Sequence, residues 1–142
     1  MIQVVVQRTF AAPPERVWAR YTDHASWSQW AGFGPATVVR PGVPAPNGVG
    51  AVRRVGPGPF AAEEEVVAFE APRRMAYRLV GGAAPIRDHL GEVEFHPDGA
   101  GTRVVWRVRC APTVPGTGRV VAAALRFIFT RVLAGLARDL RA

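Results

Sequence analysis

The stretch that most limits what this chain can fold into is its last one, GRVVAAALRFIFTRVLAGLARDLRA, from Gly118 to Ala142. It is long, free of proline and periodic. Val121, Leu125, Ile128, Val132, Leu136 and Leu140 recur at spacings of three and four, which puts them on one face of a helix. Arg119, Arg126, Arg131, Arg138 and Arg141 lie mostly off that stripe. A helix with one apolar face needs an apolar surface to cover, and the segments upstream read as strands with the same need. One long helix laid across a sheet meets both requirements. If the fit is loose, the space between helix and sheet is a cavity.

The rest of the chain supplies that sheet. Gln3 to Phe10 is β-branched and ends at Ala-Ala-Pro-Pro, which predicts a strand. Pro14 and Glu15 suit the first turn of a helix running to Tyr21. Thr22 or Asp23 caps a second short helix from His24 to Trp30, with Trp27 and Trp30 on one face. Six further strands follow, at Ala36 to Arg40, Val49 to Val55, Phe60 to Glu70, Arg74 to Val80, Ile86 to Phe95 and Thr102 to Cys110. Gly/Pro-rich turns separate them. Consecutive strands with short turns imply an antiparallel meander. The expected fold class is therefore α+β, in a single domain over residues 1–142.

Strand parity assigns the faces. In the last strand Thr102, Val104, Trp106, Val108 and Cys110 face the helix. In the one before, Arg87, His89, Gly91, Val93 and Phe95 share a side, opposite an acidic set. Met75, Tyr77 and Leu79 point inward, as do Val49, Ala51, Arg53 and Val55. Counting along the strand after Phe60 places Glu65, Val67 and Phe69 inside; a bulge would exchange Glu65 for Glu64. The inner face thus combines aromatic walls (Trp30, Phe60, Phe69, Tyr77, Trp106) with Arg53, Glu65, Arg87 and His89. Helix residues Leu125, Ile128, Phe129 and Val132 close the other side. A mostly apolar lining with a few polar groups is the profile of a small-molecule pocket. Arg53 with Glu65 is the expected ion pair, since a buried charge needs a partner.

Composition excludes several alternatives. The net charge of +7 suggests nucleic acid, but all 18 basic residues are arginine and none clusters beyond two. Nucleic acid is therefore not the expected partner, although a basic helix face that binds an acidic partner or membrane surface remains a reading of this sequence. No run reaches about 18 uncharged apolar residues. The N-terminus carries no secretory signal pattern, and Cys110 is alone, so a reduced cytoplasmic setting is expected. His24, His89 and His96 lack ligand spacing, so no metal is expected. Phosphate-binding glycine motifs and the Gly-x-Ser-x-Gly elbow are missing, and no cofactor is expected. Monomer and homodimer are equally open.

The segments PPERVWARYTDHASWSQWAGF, GVGAVRRVG, EEEVVAFEAPRRMAYRL and GTRVVWRVR, followed by a long helix, resemble the polyketide cyclase/dehydrase-like family of the START-like (SRPBCC) superfamily. The resemblance covers essentially the whole chain. It implies the helix-grip fold: a curved seven-stranded antiparallel sheet around the C-terminal helix, with two short helices after the first strand. It also implies a cavity for an apolar ligand such as a lipid or polyketide. Some members are cyclases or dehydratases, so acid–base chemistry is the alternative reading. Such chemistry needs a base near an activated C–H and a donor for the enolate. His89 or Glu65 is the candidate base, and Arg87, Arg53 or Tyr77 the candidate donor.

Overall fold

The computed structural model describes residues 1–141. Strand β1 (Ile2–Phe10) leads into α1 (Pro14–Thr22), a single 3-10 turn at His24–Ser26, and the short α2 (Trp27–Trp30). Then come β2 (Ala36–Arg40), β3 (Val52–Val55), β4 (Ala62–Glu70), β5 (Arg74–Gly82), β6 (Ile86–Asp98), β7 (Gly101–Pro112) and α3 (Gly118–Arg141). Ala142, the last residue of the predicted helix, lies outside the described residues. The strands form one antiparallel seven-stranded sheet in the order β1-β7-β6-β5-β4-β3-β2. The helix-grip expectation therefore holds in strand number, order and the placing of the short helices.

Sequence and structure differ at three boundaries. Val49 to Ala51 precede β3; Val49 instead pairs with Val43 in an isolated bridge across a Pro/Gly-rich loop. Phe60 belongs to a 3-10 turn at Gly58–Phe60, not to β4. The β6–β7 turn is tighter than the HPDGAG sequence suggests, because Asp98 pairs with Gly101.

The two faces of the sheet have opposite chemistry. Arginines and glutamates alternate across the outer face: Arg74 with Glu92 at 2.9 Å, Arg107 with Glu94 at 2.6 Å, and Arg78 and Arg40 with Glu65 at 2.8 and 3.0 Å. Arg74, Arg78 and Arg107 reach the strand beside their own and Arg40 reaches across β3, so several of the surplus arginines are already paired. The inner face carries the core residues Val4, Val66, Met75, Val93, Phe95, Val104 and Val108.

Helix α3 divides along its length. From Phe129 onward, Phe129, Val132, Leu133, Gly135, Leu136 and Ala137 are buried. No residue of 118–128 is buried. The C-terminal half is thus the element that covers the core, and the N-terminal half overhangs. By length and composition α3 is apolar enough to cross a membrane, with a mean hydropathy of 1.8 over its best window. Its C-terminal half packs on the core, and 39% of that window is buried. Gly135 marks a close approach, but to α2 and not to the sheet as its place in the sequence suggests. A Cβ there would overlap the carbonyl oxygen of Trp30. Arg20 of α1 reaches Asp139 of α3 at 2.7 Å and ties the two helices together.

Candidate ligand cavity

Under the overhanging half of α3 lies a cavity of about 480 Å³, between Leu125, Ile128 and Phe129 on the helix and the inner faces of β3 to β7. Phe60 is 79% exposed at its rim. Gly32 and Phe33, just after α2, close one side.

The walls are aromatic and cross-braced. The Trp106 indole N–H donates to Tyr77 Oη at 2.8 Å. The Trp106 ring stacks on Phe129, centroids 4.3 Å apart and 19° from parallel. The Tyr77 ring lies over Gly91, where a Cβ would fall inside the phenol ring. Glycine at this strand position is therefore what lets Tyr77 lie flat against the sheet.

Arg53 is the buried charge of the site. Its guanidinium is sandwiched between the Trp27 and Tyr77 rings, at 4.7 and 4.5 Å from their centroids. Nε donates to Glu64 Oε1 at 2.9 Å. Burial is the largest single effect and opposes the charge, but Glu64, Tyr21 and Tyr77 beside it together outweigh that opposition and hold Arg53 protonated. The two terminal nitrogens of Arg53, Tyr21 Oη and both ring nitrogens of His24 are buried without a hydrogen-bond partner among the described residues. Burial first, and then the Arg53 charge, hold His24 well below the usual histidine range, so it is neutral. Burial likewise pushes the Tyr21 phenol far up.

The expected Arg53–Glu65 pair is therefore corrected to Arg53–Glu64. The reason is a bulge in β4: Val66 pairs with Tyr77 and Ala68 with Ala76, which leaves Val67 as an extra residue. Parity counted back from Phe69 is inverted from Val67 on: Val67, expected inside, is 41% exposed. Glu64 and Val66 face inward, while Glu65 reaches Arg40 and Arg78 on the outer face. Glu65 is thus not placed to act as a base in this cavity.

A second bulge corrects Arg87. Arg87 pairs with Ala111 and Leu90 with Arg109, so Asp88 and His89 together face the single residue Cys110. Asp88 takes a positive φ of 54°, the left-handed conformation that side chains such as Asp tolerate. The inversion turns Ile86 and His89 inward and Arg87 outward. Arg87 sits in solvent beside Asp88, 2.8 Å away, and is neither donor nor ligand contact.

His89 does border the cavity. The β5–β6 ladder stops at Tyr77 and Gly91, and beyond it the Leu79 amide donates to His89 Nδ1 at 3.0 Å. The imidazole replaces a lost ladder bond. Burial lowers its pKa, so the ring is neutral near pH 7. With Nδ1 accepting, its hydrogen sits on Nε2.

Arg53, Phe60, Tyr77, His89, Trp106, Leu125, Ile128 and Phe129 are thus brought around one cavity. Three other expected contacts are not. Trp30 is buried behind Trp27, with its indole N–H on Ser26 Oγ at 2.9 Å. Phe69 packs on Trp18, centroids 5.0 Å apart. Val132 is fully buried where α3 meets the core. Trp27, Glu64, Leu79 and Ile86 are lining residues that the sequence reading did not choose. Trp27 shares the helical face of Trp30, and Glu64 was the bulge alternative, so both left a trace in the sequence. Cys110 lies in the core, and burial pushes its thiol up, away from the reactive thiolate. Among the described residues no three His, Cys, Asp or Glu side chains converge on a metal-sized site.

Comparison with known proteins agrees with this architecture. A family model described as polyketide cyclase / dehydrase and lipid transport matches residues 1–141. No curated protein matches the sequence. Among solved structures, a START superfamily protein from Mycobacterium smegmatis superposes with a TM-score of 0.83 at 12% identity, over 98% of this chain and 97% of that one. A Thermobifida fusca protein solved by NMR does so with a TM-score of 0.81 at 25% identity, over 96% and 91%. DynU16, from the dynemicin biosynthetic locus, matches with a TM-score of 0.74 at 24% identity, over 99% of this chain but 47% of its own length. With residues 1–141 matched by one family model, the chain belongs to the polyketide cyclase / dehydrase and lipid transport family, and its fold is that of the START superfamily structure it superposes on.

Proposed function

We propose that this protein binds a hydrophobic small molecule, lipid-like or polyketide-like, in the cavity between the sheet and α3. The observation that carries this reading is the space of about 480 Å³ under α3, walled by Trp27, Tyr77, Trp106 and Phe129 and bordered by one ion pair. Ligand pockets are of order 300–1,000 Å³ and mostly apolar with a few placed polar groups. Native mass spectrometry of freshly purified protein tests the reading. A co-purifying apolar mass, released by organic solvent, is the expected result. No bound mass, together with no uptake of an environment-sensitive apolar dye, overturns it.

A second reading, acid–base catalysis on a bound polyketide, draws on the family and on Glu64, whose carboxylate borders the cavity. His89 is poorly suited to be the base, because its Nε2 carries the hydrogen while Nδ1 is engaged by Leu79. Catalysis would therefore fall to Glu64, with His89 as the donor to a developing oxyanion. Cyclisation or dehydration of a poly-β-ketone analogue that survives in His89→Phe and Glu64→Gln would remove this reading and leave binding untouched.

A further inference from the structure

Building on the binding reading, we propose that the cavity selects a neutral, hydroxyl-bearing apolar ligand, whose hydroxyl hydrogen goes to Glu64 and whose oxygen receives the Nε2–H of His89. Three observations put one donor and one acceptor on the wall of the same cavity. Glu64 spends Oε1 on Arg53 Nε; its other oxygen has no partner among the described residues, and its side chain is 17% exposed where it borders the cavity. His89 spends Nδ1 on the Leu79 amide, which leaves Nε2–H toward the same space without a partner among the described residues. Leu79 links the two. It is the register partner of Glu64 on one side and the hydrogen-bond donor to His89 on the other. Glu64 and His89 therefore lie on the two strands flanking β5, and both border the cavity. Each bond to a bridging oxygen spans about 2.8 Å.

Charge decides the class. A ligand carboxylate would meet the Glu64 carboxylate, and the Arg53 charge is already committed to Glu64. The terminal nitrogens of Arg53 are closed off beneath Trp27 and Tyr77. An ammonium would lie near buried Arg53 and leave the His89 N–H without an acceptor. A bare hydrocarbon or an ether would displace water from Glu64 and return no donor. A hydroxyl is the small neutral group that gives and takes one bond at once. The facing aromatic surfaces of Tyr77, Trp106 and Phe129 favour a flat body to carry it.

The test is titration of the purified protein with β-naphthol, naphthalene and β-naphthoate at neutral pH, followed by tryptophan fluorescence and calorimetry. β-Naphthol is expected to bind about tenfold more tightly than either of the others, the scale of one or two net hydrogen bonds. In His89→Phe, which keeps a ring but loses the donor, the preference for β-naphthol over naphthalene should fall about tenfold. Equal binding of β-naphthol and naphthalene, or tightest binding of β-naphthoate, overturns the hydroxyl assignment and leaves the binding reading intact. A preference that persists in His89→Phe overturns the role of His89. Failure of all three probes to bind overturns both readings. If His89→Phe does not fold, the wild-type order of the three probes decides alone.

Discussion

Arg53 Nε donates to Glu64 Oε1 at 2.9 Å, and the arginine that makes this bond is 1% exposed. The pair sits beneath two aromatic rings, so neither bulk water nor salt screens it effectively. Removing one partner of a buried pair leaves an uncompensated charge, which costs about 3–5 kcal/mol. Glu64 is open to the cavity, so Glu64→Ala is expected to fall near the lower end, about 3 kcal/mol in urea denaturation. Glu65→Ala, next in sequence but on the outer face, should shift the midpoint far less. If the two substitutions cost the same, Glu64 is not the buried partner.

The sequence made the architecture legible and misjudged the site at its bulges. Helical period in α3 and turn residues between strands survive small local errors, so element order was readable. Facing is different, because a single extra residue inverts every side chain beyond it. The bulge at Val67 exchanged Glu65 for Glu64, and the one at Asp88 and His89 exchanged Arg87 for Ile86. Strand β7 has regular pairing with β1, and there parity placed Trp106 and Cys110 correctly. His89 was assigned inward from the right side of its bulge. Trp27 and Trp30 share a helical face, and only the tertiary packing decides which of them meets the cavity.

Tyr77 Oη is the acceptor for the buried Trp106 N–H. Tyr77→Phe keeps the ring over Gly91 and under Arg53 but strands that donor. The expected cost is about 1–3 kcal/mol in urea denaturation, with a change in Trp106 fluorescence as its environment loses the phenol. A neutral effect would mean that Trp106 finds another acceptor.

Gly91→Ala probes the same wall from below. The new methyl has no room unless the Tyr77 ring lifts, because its position falls within that ring. Lifting Tyr77 breaks the Trp106 bond and intrudes on the cavity, so both stability and probe binding should fall. Overpacking of this kind costs about 1–3 kcal/mol. Full stability with normal binding would show that the ring is not pinned to the strand.

Ile128 is half-buried on the overhanging part of α3 and borders the cavity. Ile128→Trp should place the indole in the open space, weakening uptake of an apolar probe by at least about tenfold. The melting temperature should move by only a few degrees, because Ile128 is only partly buried against the core. The same substitution at Val132, which is fully buried, should instead destabilise by about 1–3 kcal/mol or more through overpacking. The contrast between the two positions tests whether α3 roofs a cavity in one half and packs solidly in the other.

His24 gives the protein a defined acid sensitivity. Burial and the neighbouring Arg53 charge hold its pKa well below the ordinary 6.5, so the folded protein keeps it neutral while the unfolded chain protonates it. The unfolded state then binds more protons, and stability rises with pH through that window. Contributions are complete above about pH 6.5 and are lost as the pH falls below it, by at most about 1.4 kcal/mol per pH unit for one proton. His89, also lowered by burial, acts in the same direction. The paired carboxylates Glu65 and Glu94, lowered from 4.5 by their arginine partners, add their share only at more acid pH. Denaturation midpoints between pH 7 and pH 5 should therefore fall in the wild type. In His24→Leu they should fall less steeply, because that side chain has no proton to gain and its ring nitrogens make no hydrogen bond to lose. An unchanged slope in His24→Leu would mean that His24 is solvated and titrates normally in the folded protein.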